Sequence, residues 1–391
     1  MYKRIALIIV GLILIVSCVE DFKVPNTASD KYKSELVIQG RILSGEKSAF
    51  YLSMTSAFGN NDNLNVPIED AEITIIGQNG YKTERAEYDR IFNHYIINTD
   101  NLPQNTQYAV KVIWKGETYQ SEFQELQSSP EIDEITYKEN VDGISIHVST
   151  HDSEDGRRAY MWTYSEDWEF HSDINMFSMG AILYNKDIYQ GTASKNPYYY
   201  CWGHNDSYNI HIYSTENLKE NRVAEHKLLN IPIDDIRISY IYSILVKQWS
   251  LSDEAYKYFR TQKLYTEEAG GLFTPMPTEV IGNVKCISNP DIKVRGFVLA
   301  ASIMSKRIFI YESDLNHHSM YGNCDISTPD LNNEYWRKAW LNSIDAGRAI
   351  AHTPSGTLDD YSVLYYEECF DCRKTKGSTK KRPDFWPNNH E

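Results

Sequence analysis

The chain has 391 residues, 41% of them hydrophobic and 13% aromatic, and its 39 basic against 54 acidic residues set a formal charge of −15. A chain of this size can bury one or two sizeable cores, and so acidic a surface repels nucleic acid and anionic lipid head groups. The short basic cluster Lys374 to Arg382 reads as a solvated stretch and does not reverse that exclusion.

The amino-terminal segment carries Lys3 and Arg4, an aliphatic run from Ile5 to Val16, and then Ser17 and Cys18. A charged head, an apolar middle and a small-residue exit make an export signal over residues 1–17. The run stops at Glu20 and Asp21, well short of the roughly 20 apolar residues that a bilayer-spanning helix needs. Ile15-Val16-Ser17-Cys18 resembles the lipobox of bacterial lipoproteins, which implies cleavage before Cys18 and its acylation. Each buried acyl methylene contributes about 0.8 kcal/mol, so two or three chains anchor a protein almost permanently. Val19-Glu20-Asp21 resembles the acidic signal that sends Bacteroidota lipoproteins to the cell surface, which makes Glu20 and Asp21 candidate export residues. Residues 18–33 are the lipidated tether: Lys23 to Asp30 is polar and contains Pro25, and about ten extended residues span roughly 30 Å.

From Ser34 the pattern changes to short alternating runs. ELVIQGRIL, SAFYLSMTSAF, AEITIIG, HYIIN, QYAVKVIW and ETYQSEF are strand-length and rich in Val, Ile, Tyr and Thr, with Ser44-Gly45, Gly59 to Asp62, Gln78-Asn79-Gly80, Pro103 and Gly116 as breaks. The spacing predicts an immunoglobulin-like antiparallel sandwich over residues 34–128. VPIEDAEITIIGQNGYKTE resembles prealbumin-like sandwiches, which serve as accessory modules on secreted and outer-membrane proteins. Residues 129–391 are expected to form a larger β-rich domain with at least one helix, so the whole chain reads as mainly β. Ile132, Ile135 and Tyr137, a turn at Asp142-Gly143, and Ile144, Ile146 and Val148 predict a hairpin. YMWTY continues in strand, and IRISYIYSILVKQWS reads as one long strand. SDEAYKYFRTQKLYTEE predicts a helix capped by Ser252, with Ala255, Tyr258, Phe259, Gln262 and Tyr265 along one side and Gly270-Gly271 as its stop.

YSILVKQWSLSDEAYKYF, EEAGGLFTPMPTEVIGNVKC, VRGFVLAAS, KRIFIY and CFDC followed by KRPDFWP occur in an order that resembles the DUF4249 family of Bacteroidota outer-membrane lipoproteins, beginning at LVIQGRIL. The resemblance implies an outer-membrane location and association with TonB-dependent transporter systems. It brings no catalytic residues.

Beside Cys18 stand Cys201, Cys286, Cys324, Cys369 and Cys372, candidate disulfide partners in an oxidising compartment. Five is odd, so at least one thiol is expected to stay free of intrachain bridges. Cys369-Phe370-Asp371-Cys372 has redox-motif spacing but no βαβ context. Adding Cys324 and His317 or His318 does not produce a zinc-ligand spacing, so no metal and no cofactor is expected. G-x-S-x-G, H-E-x-x-H, Walker and G-x-G-x-x-G motifs are absent. Gly270-Gly271 and Gly282 follow a helix instead of opening one, which is the wrong side for an anion cradle. Asp152 with Glu154, and Glu166 with Asp167, are acid pairs that glycosidic chemistry would need about 5 to 9 Å apart. In so acidic a chain such neighbours arise by composition, and no enzyme activity is expected.

Binding is the better expectation. Trp162, Tyr164, Trp168, Tyr198, Tyr199, Tyr200 and Trp202 concentrate in YMWTYSEDWEF and NPYYYCWGH, and such rings offer wide apolar faces with polar rims for stacking on sugars or gripping a peptide. The sequence thus reads as a surface-exposed lipoprotein, a non-catalytic accessory or ligand-capture component of a TonB-dependent transporter. An autonomous adhesin or glycan- or peptide-binding protein is the alternative.

Overall fold

A computed structural model describes residues 34–55, 66–103, 105–153, 156–173, 181–184, 187–189, 198–207, 209–267, 282–316, 326–327, 333–345, 349–353, 362–365 and 369–387. Among the described residues strands dominate, in five sheets, with helices at Asp253–Glu267 and Glu334–Asp345. No helix among the described residues is long and apolar enough to cross a membrane.

Two sheets form the amino-terminal sandwich. In one, Leu36–Ser44 pairs with Lys47–Met54, which pairs with His94–Asn98 and then Glu87–Asp89. In the other, Glu72–Gly77, Gln107–Trp114 and Glu117–Ser121 run antiparallel. The last two meet in a two-residue turn in which Lys115 and Gly116 both have positive φ, the backbone that matches strand twist in a tight hairpin. Alternation aims Leu36, Ile38, Ile42, Phe50 and Leu52 from one sheet at Ile73, Ile75, Tyr108, Val110 and Val112 from the other, all essentially excluded from water.

Neither sheet is complete within residues 34–128. Val284–Cys286 adds to the edge at Glu117–Ser121, and Val294–Arg295 and Val298–Ser302 pair in parallel with Leu36–Ser44. Gly296, at φ +105°, lets this returning strand break between its two pairing segments, and a Cβ there would lie 2.0 Å from the Ile38 carbonyl oxygen. Val298 and Ala300 complete the sandwich core, while Leu299 and Ala301 face the other way onto Leu43, Trp249, Leu251, Ala255 and Tyr258. The return segment therefore serves two cores, a parallel pairing that local alternation does not announce.

The second region stacks a three-stranded sheet, Arg222–Pro232, Gly143–His151 and Ile132–Asn140, on a larger sheet built around Ala159–His171 and Ile241–Leu251. Tyr200–Asp206 and His211–Ser214 pair with the first of these long strands and Met304–Tyr311 with the second. The helix over Asp253–Glu267 starts as its sequence predicts, Ser252 Oγ accepting from the Ala255 N–H at 3.2 Å. The expected strand over 236–250 is shorter. Ile236–Ile238 is a 3-10 turn because the Asp235 carboxylate accepts from the Arg237 N–H at 2.9 Å, and the strand begins at Ile241.

Candidate ligand-binding surface

The Ala159–His171 strand sends alternate side chains to opposite faces. Tyr160, Trp162 and Tyr164 enter the core between the two sheets of the second region. There Trp162 Nε1 donates to Gln248 Oε1 at 2.8 Å, and Gln248 Nε2 donates to the Pro130 carbonyl at 2.8 Å and Thr150 Oγ1 at 3.1 Å. Trp202 packs with Ile241 and Trp386. Trp162, Tyr164 and Trp202 are thus core residues, which corrects their reading as ligand-binding aromatics: burying large rings between sheets is the cheapest use of them. Trp168 is half-buried and lies over Gly203, where a Cβ would fall 2.2 Å from its ring.

Tyr198, Tyr199 and Tyr200 remain half-buried, and the fold adds His171 and Tyr240 to them. His171 stacks on Tyr199 with ring centroids 4.7 Å apart, Tyr199 meets Tyr200 edge-on at 4.7 Å, and Tyr240 approaches His171 at 5.6 Å and Tyr200 at 6.0 Å. Arg373 places its guanidinium carbon 4.1 Å from the Tyr198 ring centroid. Burial, joined by neighbouring tyrosines, raises the pKa of Tyr199 and Tyr240, and burial with the charge of Glu169 raises that of Tyr200. All three therefore remain phenols, able to donate and accept, at neutral pH. His171 and Tyr240 carry no mark in the sequence, since one is the last residue of its strand and the other lies just before the strand Ile241–Leu251.

The carboxyl-terminal segment fastens this cluster. Cys201 and Cys372 form a disulfide across 171 residues of chain, the Cys372 N–H donates to the Tyr198 carbonyl at 2.9 Å, and Trp202 and Thr379 exchange backbone hydrogen bonds of 2.9 and 2.8 Å. Lys380 Nζ donates to the Tyr200 carbonyl, and Trp386 Nε1 donates to the buried Glu169 carboxylate at 2.5 Å.

Glu166 and Asp167 lie next to each other on a strand and so point to opposite faces of the sheet. Glu166 accepts from Arg237 Nη1 at 2.7 Å, Tyr242 Oη at 2.8 Å and Asn205 Nδ2 at 3.0 Å. Burial pushes the neighbouring Tyr164 phenol up to about 12, helped by the charge of Glu166. Asp167 bonds His204 Nδ1 at 2.7 Å and Arg307 Nη1 at 3.0 Å. Burial opposes the protonation of His204, but the bond to Asp167 and the charges of Asp167 and Asp206 win and raise its pKa. Two carboxylates on opposite faces, each already held by an arginine, do not make an acid–base pair around a glycosidic bond. Of the other acid pair, Glu154 lies outside the described residues.

A family model, described as a domain of unknown function (DUF4249), matches residues 20–307. The chain belongs to the DUF4249 family. No curated protein matches it. Among solved structures, the crystal structure of trypsin-activated alpha-2-macroglobulin from Escherichia coli is similar over 58% of this chain and 15% of that one, at 9% identity and a TM-score of 0.20, too low to carry an argument. The DUF4249 match takes in the sandwich and the long strands through Arg307 and ends before the fastening segment that carries Cys372 and Trp386.

Disulfide chemistry in this DUF4249 chain follows from the same placement. Cys372 bonds to Cys201, and Cys369 is also disulfide-bonded, so Cys369 and Cys372 are not a dithiol closing on itself. Cys286, expected among the disulfide candidates, is a free buried thiol. It sits on the Val284–Cys286 strand of the amino-terminal sandwich, paired in register with Tyr119 and 3.5 Å from Ser288 Oγ. Among the described residues no group of three or more His, Cys, Asp and Glu is placed to hold a metal. Cys18, Glu20, Asp21, Cys324, Gly270 and Gly271 lie outside the described residues.

Proposed function

We propose that this DUF4249 chain is a lipid-anchored, surface-exposed outer-membrane protein that captures a ligand and performs no chemistry on it, as an accessory component of a TonB-dependent transporter system. The observation that carries the binding reading is the half-buried ring cluster of His171, Tyr199, Tyr200 and Tyr240. Its stacked and edge-on faces, with phenol groups that stay protonated, suit a carbohydrate or peptide ligand, for which no cofactor or metal is needed. The anchor rests on Cys18 and the segment before it, and surface exposure on Glu20 and Asp21. The transporter comes from the family resemblance. A body tethered beside a barrel raises the local concentration of what it holds.

The site's position favours capture. The two regions join where Glu46 meets Lys247 at 3.0 Å and Arg41 lies 4.9 Å over the Trp249 ring. The ring cluster gathers at the other end of the long strands, around His171 and Ile241. A ligand there is held away from the amino-terminal sandwich, toward which the tether leads.

Native outer membranes, solubilised gently and purified through a carboxyl-terminal tag, are expected to yield a TonB-dependent barrel at near-equal amount. Recovery of this chain by itself would remove the stable transporter complex. The ring cluster would then favour the second reading, an autonomous glycan- or peptide-binding surface protein. In either case Tyr199→Ala and Tyr240→Ala are expected to abolish retention on polysaccharide or peptide arrays, and arrays that retain the variants as well as the parent would exclude this surface as the site.

A further inference from the structure

The turn between Glu87–Asp89 and His94–Asn98 exposes two adjacent apolar side chains, Ile91 at 83% and Phe92 at 67%. The turn is held from within. Asp89 Oδ1 accepts from the N–H groups of Ile91 at 2.8 Å and Phe92 at 3.2 Å, Asn93 takes the left-handed conformation at φ 53°, and Tyr88 Oη donates to Asn93 Oδ1 at 3.4 Å. The Phe92 ring stacks on His94 with centroids 5.8 Å apart, and His94 meets Tyr51 at 5.1 Å. Such a turn fixes its apolar pair outward, so ordering it costs little further entropy when something covers it.

Strand register identifies the end of the molecule that carries this turn. Leu36 pairs with Met54 and Gln39 with Tyr51, while Phe50 pairs with Tyr95 and Asp89 with His94. The turn at 90–93 therefore runs on past Tyr51 toward Met54 and Thr55. There Ser34 Oγ donates to the Thr55 carbonyl and the Glu35 N–H donates to Thr55 Oγ1 at 2.8 Å. Ile91 and Phe92 thus project at the end where the chain enters from residues 18–33, and the second region joins at the opposite end, beside Glu46 and Leu43.

We infer that the Ile91–Phe92 turn inserts into the lipid surface that holds the anchor and sets the orientation of the body on it. The inference rests on the reading of Cys18 as lipidated. A tether of about 16 residues reaches roughly 50 Å when extended and fixes no orientation by itself. Two side chains are far short of the roughly 800 Å² per partner of a stable protein interface, whereas each apolar group contributes to lipid partitioning on its own. Arg90, exposed beside the pair and 3.8 Å from Glu69, lies where a long cationic side chain can rest among head groups. With the body so seated, the ring cluster faces away from the membrane.

The test uses the full lipidated chain in phosphatidylcholine vesicles, with an environment-sensitive nitrobenzoxadiazole label on Ile91→Cys or, as control, on Val141→Cys, a position 83% exposed in a turn of the second region. Flotation with the vesicles reads the anchor. Blue-shifted emission quenched by spin-labelled acyl chains, from position 91 and not from 141, is the expected result. A chain that floats while the label at 91 stays water-like overturns the inference and leaves the anchor standing. A chain that carries no acyl groups and does not float removes both. Shielding of the label in native outer membranes but not in protein-free vesicles overturns lipid as the occupant and puts a protein there.

Discussion

The amino-terminal sandwich buries Ile38, Phe50, Ile73, Tyr108 and Val110 with little polar company beyond the hydroxyls of Ser48, Thr74, Thr99 and Ser121 and the Asn283 amide, whereas the long-strand sheet buries Glu166, Asp167, Glu169 and Gln248. In an apolar core, alternation chooses the buried face of each strand and turn geometry helps to set the register. A buried carboxylate is costly until its donors arrive, and here they come from far along the chain: Arg237 and Tyr242 for Glu166, Arg307 for Asp167, Trp386 for Glu169. The first region is therefore specified mostly by its own residues and the returning strand, and the second by polar contacts between residues far apart along the chain.

The sharpest way to break this contrast is to remove one donor. Arg237→Met leaves Glu166, 1% exposed, without its cation and is expected to cost about 3–5 kcal/mol in urea unfolding. Lys285→Met, which breaks the exposed pair with Glu122, is expected to cost less than about 1 kcal/mol. Equal losses would mean that burial of the charge does not set the difference. Trp162→Ala, a core truncation, is expected to cost about 3–5 kcal/mol as well.

The covalent fastening comes next. Cys201→Ser with Cys372→Ser is expected to lower stability by about 2–5 kcal/mol and to open residues 373–387 to limited proteolysis, while the amino-terminal sandwich keeps its protection in hydrogen exchange. Loss of protection in both regions together would show that they unfold as one unit.

Acid should separate the regions further. Burial drives His211 and His226 down to about 4 from an ordinary value of 6.5, with Lys263 adding to the effect. The unfolded chain then binds protons that the folded chain refuses, so their contribution is complete above about pH 6.5 and is lost as pH falls toward 4. His204 runs the other way: its pKa is raised, and its contribution fades as pH climbs through the folded value. The urea midpoint of the second region is expected to fall between pH 6.5 and 4, and His211→Phe with His226→Phe should flatten that dependence.

A small stability effect is also expected where binding is proposed. Tyr199→Ala should change the unfolding free energy by about 1 kcal/mol or less, because the ring is half-buried at a sheet end. A loss as large as that of Trp162→Ala would place Tyr199 among the core rings and withdraw it from the ligand surface.

Much of the architecture was legible in residue order. The hairpin at Asp142-Gly143, the Ser252 cap and the strands around Ile38, Ile75 and Val110 follow from alternation and turn chemistry. The odd count of five cysteines beside Cys18 implied at least one free thiol, and only the structure shows that Cys286 is one. The candidate site was legible in part. Tyr198 to Tyr200 stand out by composition, but so do Trp162 and Trp202, and a strand's own sequence does not say whether another sheet covers its face.

What the sequence by itself determined was local: strand identity, the helix start and the acidic character. Tertiary structure alone decided that residues 284–302 return to complete the sandwich, that Cys372 closes on Cys201, that Glu166 and Asp167 are held by arginines, and that His171 and Tyr240 join the tyrosines. The physical reason is range. Alternation and capping act over a few residues and are written in order along the chain, whereas burial of a ring, pairing of a charge and parallel strand addition depend on residues that only folding brings together.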